Sequence, residues 1–178
     1  MTLSDFEFDL LSGEHDLSDF DCEDNDINEF LRDDALNYQN DKMANTYVFH
    51  HENKVQAFFS ILNDCLHDKG YENKVWNNFH RKRKIPNNKR IKQYPAIKVG
   101  RLGVTKNHHG TGVAYDLMDF VKGFSLIEHK PACRLLLLDA YNKPQQIKYY
   151  ERNGFIFLDD SSTRDATRLM YYDLMQLS

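Results

Sequence analysis

The sequence predicts a mixed α/β domain. Three observations carry this. β-rich runs and amphipathic helical stretches are interspersed along the 178 residues rather than segregated. The run Pro95 to Val104 leads through a short polar loop carrying Gly110 and Gly112 straight into a helical stripe. The run Arg134-Leu-Leu-Leu-Leu-Asp-Ala140 is continuously apolar, as expected of a strand covered on both faces.

Phe6 to Leu11 alternates weakly and reads as a first strand. Asp24-Asn-Asp26 is a helix start, and Ile27, Leu31, Ala35, Leu36 and Tyr38 follow at near-helical spacing, which predicts a helix over 26–40. Thr46 to Phe49 and Val55 to Leu62 are β-rich on either side of His51-Glu-Asn-Lys54, a hairpin pattern. Residues 63–94 are polar with little periodicity and are expected to form a long loop, with a short helix at Val75 to His80. Pro95 to Val104 is the next strand. In the helix after it, Val113, Leu117, Phe120, Val121 and Phe124 form one apolar stripe. After the 134–140 strand, Pro144 suits a first helical turn, and Gly154 suits the left-handed cap that ends that helix. Phe155 to Leu158 and Leu169 to Tyr172 are the last two strands. There is no internal repeat, and residues 1–178 are expected to form a single domain.

Composition narrows the class. No apolar run approaches the roughly 20 residues of a membrane span, and the acidic start Met1 to Asp9 lacks a signal-peptide pattern. A cytoplasmic protein is expected. Cys22, Cys65 and Cys133 are widely spaced, which suits free thiols of a reducing compartment. No metal site is expected: no cysteine pair has C-x-x-C spacing, and the doublets His50-His51 and His108-His109 are placed in a turn and a loop. The net charge of −4 hides an asymmetry. Residues 1–45 hold 14 acids and 2 bases, whereas residues 46–100 hold 4 acids and 11 bases. The basic excess concentrates in Arg81, Lys82, Arg83 and Lys84, then Lys89, Arg90 and Lys92. It reads either as a solvated loop or as a contact for phosphates.

A strand that runs through glycines into a helix N-terminus is an anion site, because the backbone can approach the ligand and free N–H groups and the helix dipole favour negative charge. No Lys-Ser or Lys-Thr follows Gly112, so the loop is not a Walker A motif. A dinucleotide fingerprint would need a third glycine where Tyr115 stands. A second element, Tyr149-Tyr-Glu-Arg-Asn-Gly-Phe155, follows one strand later.

Together, Asn107-His-His-Gly110-Thr-Gly112 and Tyr150-Glu-Arg-Asn-Gly154-Phe155 resemble the two motifs of the GNAT superfamily of acetyl-CoA-dependent N-acetyltransferases. His15 to Cys22, Ile27 to Leu31, Gly100 to Val104 and Leu138-Asp-Ala140 are similar to the branch that contains toxins acetylating aminoacyl-tRNA. The resemblance spans about residues 10 to 175 and implies a GNAT fold: a mixed, mostly antiparallel central sheet flanked by helices, with a strand-loop-helix acetyl-CoA site. It implies that backbone amides of His109, Gly110, Thr111, Gly112, Val113 and Ala114 receive the CoA pyrophosphate. Leu102, Gly103 and Val104 would line the pantetheine arm, and an amide near Val104 would face the thioester oxygen. Asn142 would contact CoA or cap the following helix. Tyr150 is the candidate catalytic residue, a general acid for the leaving thiolate. No general base stands out. The acceptor stays open between an aminoacyl-tRNA held through Arg81, Lys82, Arg83 and Lys84, a small amine and a protein amine. A non-catalytic acyl-CoA-binding module is the alternative. Homodimers are common in this branch, and the existence of a cognate antitoxin stays open.

Overall fold

The computed structural model describes residues 2–128, 132–160 and 164–177. Its main elements are β1 (Glu7–Leu10), α1 (Asn25–Glu29), α2 (Ala35–Asn40), β2 (Asn45–His51), β3 (Lys54–His67) and α3 (Asn73–Lys82). They continue with β4 (Gln93–Val104), α4 (Val113–Ile127), β5 (Leu135–Tyr141), α5 (Pro144–Arg152), β6 (Ile156–Phe157) and β7 (Thr167–Asp173). The hydrogen-bonded strand order is β1-β2-β3-β4-β5-β7-β6. β1/β2, β2/β3, β5/β7 and β6/β7 are antiparallel, and β4/β5 is parallel. The mixed α+β architecture expected from the sequence is present. Among the described residues, no helix is long and apolar enough to cross a membrane.

The chain forms two compact units that alternate along the sequence, Met1–Asn63 with Val99–Val121, and Asp64–Lys98 with Lys122–Ser178. In the first unit, Leu11, Phe20, Phe30, Leu31, Ala35, Val48, Val55 and Phe58 form one buried cluster. Phe8, Phe49, Phe59 and Phe120 form a second, with ring centroids 4.7–6.2 Å apart. Gly103 lies against the first cluster with no room for a side chain. A Cβ there would stand 2.8 Å from Phe58 and 3.0 Å from Ile27.

In the second unit, α3 lies on a cluster of Leu66, Trp76, Phe79, Tyr94, Leu135, Leu137 and Tyr171. The expected 63–94 loop is therefore corrected. β3 continues to His67, and α3 is a ten-residue helix. The expected helix over 26–40 is also interrupted: Phe30–Asp34 forms a π-turn between α1 and α2. The hairpin turn is made by Glu52 and Asn53, both at positive φ, so His50 and His51 lie in β2 rather than in the turn.

Candidate active site

Within the first unit, β4 ends at Val104 and the chain is held immediately beyond it. Thr105 is buried, and its N–H donates to the Gln56 carbonyl at 2.8 Å. The Lys106 N–H donates to the Asp21 carbonyl at 2.8 Å, and the Lys106 ammonium meets the Asp21 carboxylate at 2.9 Å. That carboxyl is held down at about 2 by the Glu23 N–H first, then by Lys106 and Asn28. The Nε2 atoms of the two histidines stand 3.2 Å from Gln56 Oε1 (His108) and 3.1 Å from the Val104 carbonyl (His109).

Gly110 and Gly112 then take φ of +75° and +95°, the left-handed region that only glycine enters cheaply. α4 starts at Val113 and runs fifteen residues, with Val113, Leu117 and Val121 fully buried. The six amides expected to face a pyrophosphate are not equivalent. The His109 N–H already donates to the Lys106 carbonyl at 3.0 Å, and the Thr111 N–H points to the His108 carbonyl at 3.4 Å. The N–H groups of Gly110, Gly112 and Val113 have no partner among the described residues. Open donors at the start of a long helix can receive an anion.

Leu102 is half-buried, and Gly103 and Val104 are buried. The parts played by Asp21 and Gln56 were not legible in the sequence. Each acts on residues far away in the chain, and only the resemblance of the His15 to Cys22 stretch touched Asp21.

In the second unit, the parallel ladder between β4 and β5 covers only Ala96–Lys98 against Leu135–Leu137. Asn142 follows β5. Its N–H donates to the Ala166 carbonyl at 2.9 Å and its Nδ2 to the Asp165 carbonyl at 3.1 Å. It does not cap α5, whose N-cap is Lys143. Gly154, at φ +80°, ends α5 as expected.

Tyr150 on α5 is half-buried, with its ring 5.1 Å from that of Tyr149 and 6.0 Å from that of Phe155. Its hydroxyl makes no hydrogen bond among the described residues, and burial pushes the phenol up to about 12. A neutral, ring-packed phenol with a free O–H can donate to a ligand.

The basic segment divides. Arg81, Lys82 and Lys84 are exposed at the end of α3 and just beyond it. Arg83 turns inward, 3.8 Å from the buried Asp173 carboxylate and over the Tyr171 ring. It is therefore a packing residue rather than a phosphate contact, which corrects the set of four.

No protein-family model matches the chain, and no curated protein matches it. Solved structures do. One is AtaT complexed with acetyl-methionyl-tRNAfMet, with a TM-score of 0.72 and 20% identity, covering 97% of this chain and 96% of that one. A second is a tyrosine-to-phenylalanine mutant of KacT, with a TM-score of 0.73 and 20% identity, covering 97% and 99%. A third is a tyrosine-to-phenylalanine mutant of the AtaT toxin, bound to the C-terminus of the antitoxin AtaR and to acetyl-CoA. Its TM-score is 0.69 at 17% identity, covering 97% and 96%. At such identities the likeness is one of fold, and it is the GNAT fold expected from the two motifs.

Proposed function

We propose that the chain is an acetyl-CoA-dependent N-acetyltransferase. The observation that carries this is the loop from Thr105 to Gly112, with open N–H groups at Gly110, Gly112 and Val113 heading α4, in a fold shared with a protein solved with acetyl-CoA. The pyrophosphate of CoA sits on those donors. The β4/β5 ladder ends at Lys98 and Leu137, which frees the Leu102 to Val104 stretch of β4 to pair with the pantetheine arm. An amide near Val104 then stabilises the thioester oxygen as it becomes an oxyanion.

The acceptor amine attacks the thioester carbon, a C–N bond forms, and the C–S bond breaks as the thiolate leaves. The amine proton passes to water. Tyr150 donates its O–H to the departing sulfur. A phenol at about 12 stays protonated at every working pH, but it is a weaker acid than a thiol near 8.5. It therefore stabilises the thiolate as a hydrogen-bond donor rather than surrendering the proton outright. Asn142, which donates its Nδ2 to the Asp165 carbonyl, is the CoA contact that follows β5 in this reading.

The acceptor is an aminoacyl-tRNA, with Arg81, Lys82 and Lys84 meeting its phosphates. AtaT solved with acetyl-methionyl-tRNAfMet favours this over a small amine or a protein amine. A homodimer and a cognate antitoxin belong to the same reading, and solution mass and co-purification test them.

Tyr150→Phe is expected to lower turnover by about 10²–10³-fold while acetyl-CoA binding stays within about twofold. Near-normal turnover would remove Tyr150 from the mechanism. If acetyl-CoA binds but no CoA is released with charged tRNA or any amine offered, the chain is an acyl-CoA-binding module instead.

A further inference from the structure

A second polar cluster lies in the first unit, away from the loop. Asp9 on β1, His50 on β2 and His15 in the turn after β1 each offer a donor atom, and the three atoms lie within 4.8 Å of one another. The His50 ring is buried, 3% exposed, and its Nε2 stands 2.9 Å from Asp9 Oδ2. Its Nδ1 is also buried and has no hydrogen-bond partner among the described residues. A deeply placed imidazole with one nitrogen unsatisfied carries a desolvation cost, and the acetyl-transfer reading has no use for it.

The backbone fixes all three donors. Asp9 pairs with Val48, and His50 pairs with Glu7 across the β1/β2 ladder. The 12–15 turn is closed by the His15 N–H on the Ser12 carbonyl at 3.4 Å. The following residue joins the β2–β3 turn through the Asp16 N–H on the Asn53 carbonyl at 2.8 Å. The Ser12 N–H and hydroxyl both meet His15 Nδ1 at 3.1 Å. They orient the ring.

We infer that Asp9, His15 and His50 bind a late first-row divalent metal ion, zinc or nickel. Two imidazoles and one carboxylate suit that class. Bonds of about 2.0–2.2 Å place donor atoms roughly 3 Å apart, so the Asp9–His50 pair is already at ligand spacing and a small turn of the half-exposed His15 ring completes the set. The ion ties the edge strand β1 and the 12–15 turn to β2. It takes no part in acetyl transfer, and the inference stands whether or not that function holds.

Isothermal titration of the metal-free full chain with zinc, and separately with nickel, tests it in a background where Cys22, Cys65 and Cys133 are serine. One saturable site is expected, with a raised melting temperature at saturation. Asp9→Asn and His15→Ala each weaken binding at least tenfold. His51→Ala, at an exposed neighbour, leaves it unchanged. Absence of a saturable site, or equal affinity in Asp9→Asn and His15→Ala, overturns the inference. Both residues are on the surface side of the cluster, so these variants fold even if a His50 variant does not.

Discussion

The two regions proposed to meet phosphates are built in opposite ways. The 105–112 loop is tied at four of its first five residues: Thr105 to Gln56, Lys106 to Asp21, His108 to Gln56 and His109 to Val104. The 81–84 segment is tied chiefly by Arg83, which reaches Asp173, and its other three cations stand in solvent. A single pyrophosphate of fixed geometry needs donors held in place before it arrives. A polyanion needs only nearby charge, and mobile exposed cations supply it.

Breaking the rigid region should have the larger effect. Substituting Gly110 and Gly112 together by Ala meets open space at both positions but wrong φ. Each left-handed residue costs about 1–2 kcal/mol, so the loop leaves its fold and acetyl-CoA affinity falls by one to two orders of magnitude. Isothermal titration reads this, and an unchanged Kd would mean that the loop is not the pyrophosphate site.

Arg83→Ala should cost about 1–2 kcal/mol of stability in denaturant melts and leave the salt dependence of tRNA binding alone. The triple change Arg81→Ala, Lys82→Ala, Lys84→Ala should do the reverse. Stability stays within about 0.5 kcal/mol, and the slope of log affinity against log salt falls by about one per lost phosphate contact.

The smallest effect is expected at Asp21. Its carboxyl sits at about 2 when folded, against 3.8 ordinarily. The folded value is depressed, so the stabilisation is present above about pH 4 and disappears as pH falls towards 2. Wild type and Asp21→Asn should therefore differ in melting temperature at neutral pH and converge in acid.

The contrast also separates what the sequence shows from what it hides. Local chemistry was legible. Gly154 takes the left-handed conformation expected of it, and in the predicted apolar stripe Val113, Leu117 and Val121 are buried while Phe120 and Phe124 are half-buried. α3 was read short because few apolar residues, Val75, Trp76 and Phe79 among them, interrupt a polar stretch and still bury against the sheet. The far end of β3 was missed because Asn63, Asp64 and Cys65 are exposed and polar, so burial no longer marks alternation there. Arg83 could not be told from its neighbours, since its partner Asp173 is 90 residues away. The same is true of His50, whose neighbours Asp9 and His15 come from a different strand and turn.

One feature of the chain path bears on inheritance. The polypeptide leaves one compact unit for the other at Asn63, Lys98 and Val121. In two of those places it does so in the middle of a strand, and in the third within a helix. No single recombination breakpoint can therefore exchange one unit as a cassette, and no single proteolytic cut can release one whole. Each unit must therefore change by point substitution and loop growth, with both travelling as one gene segment.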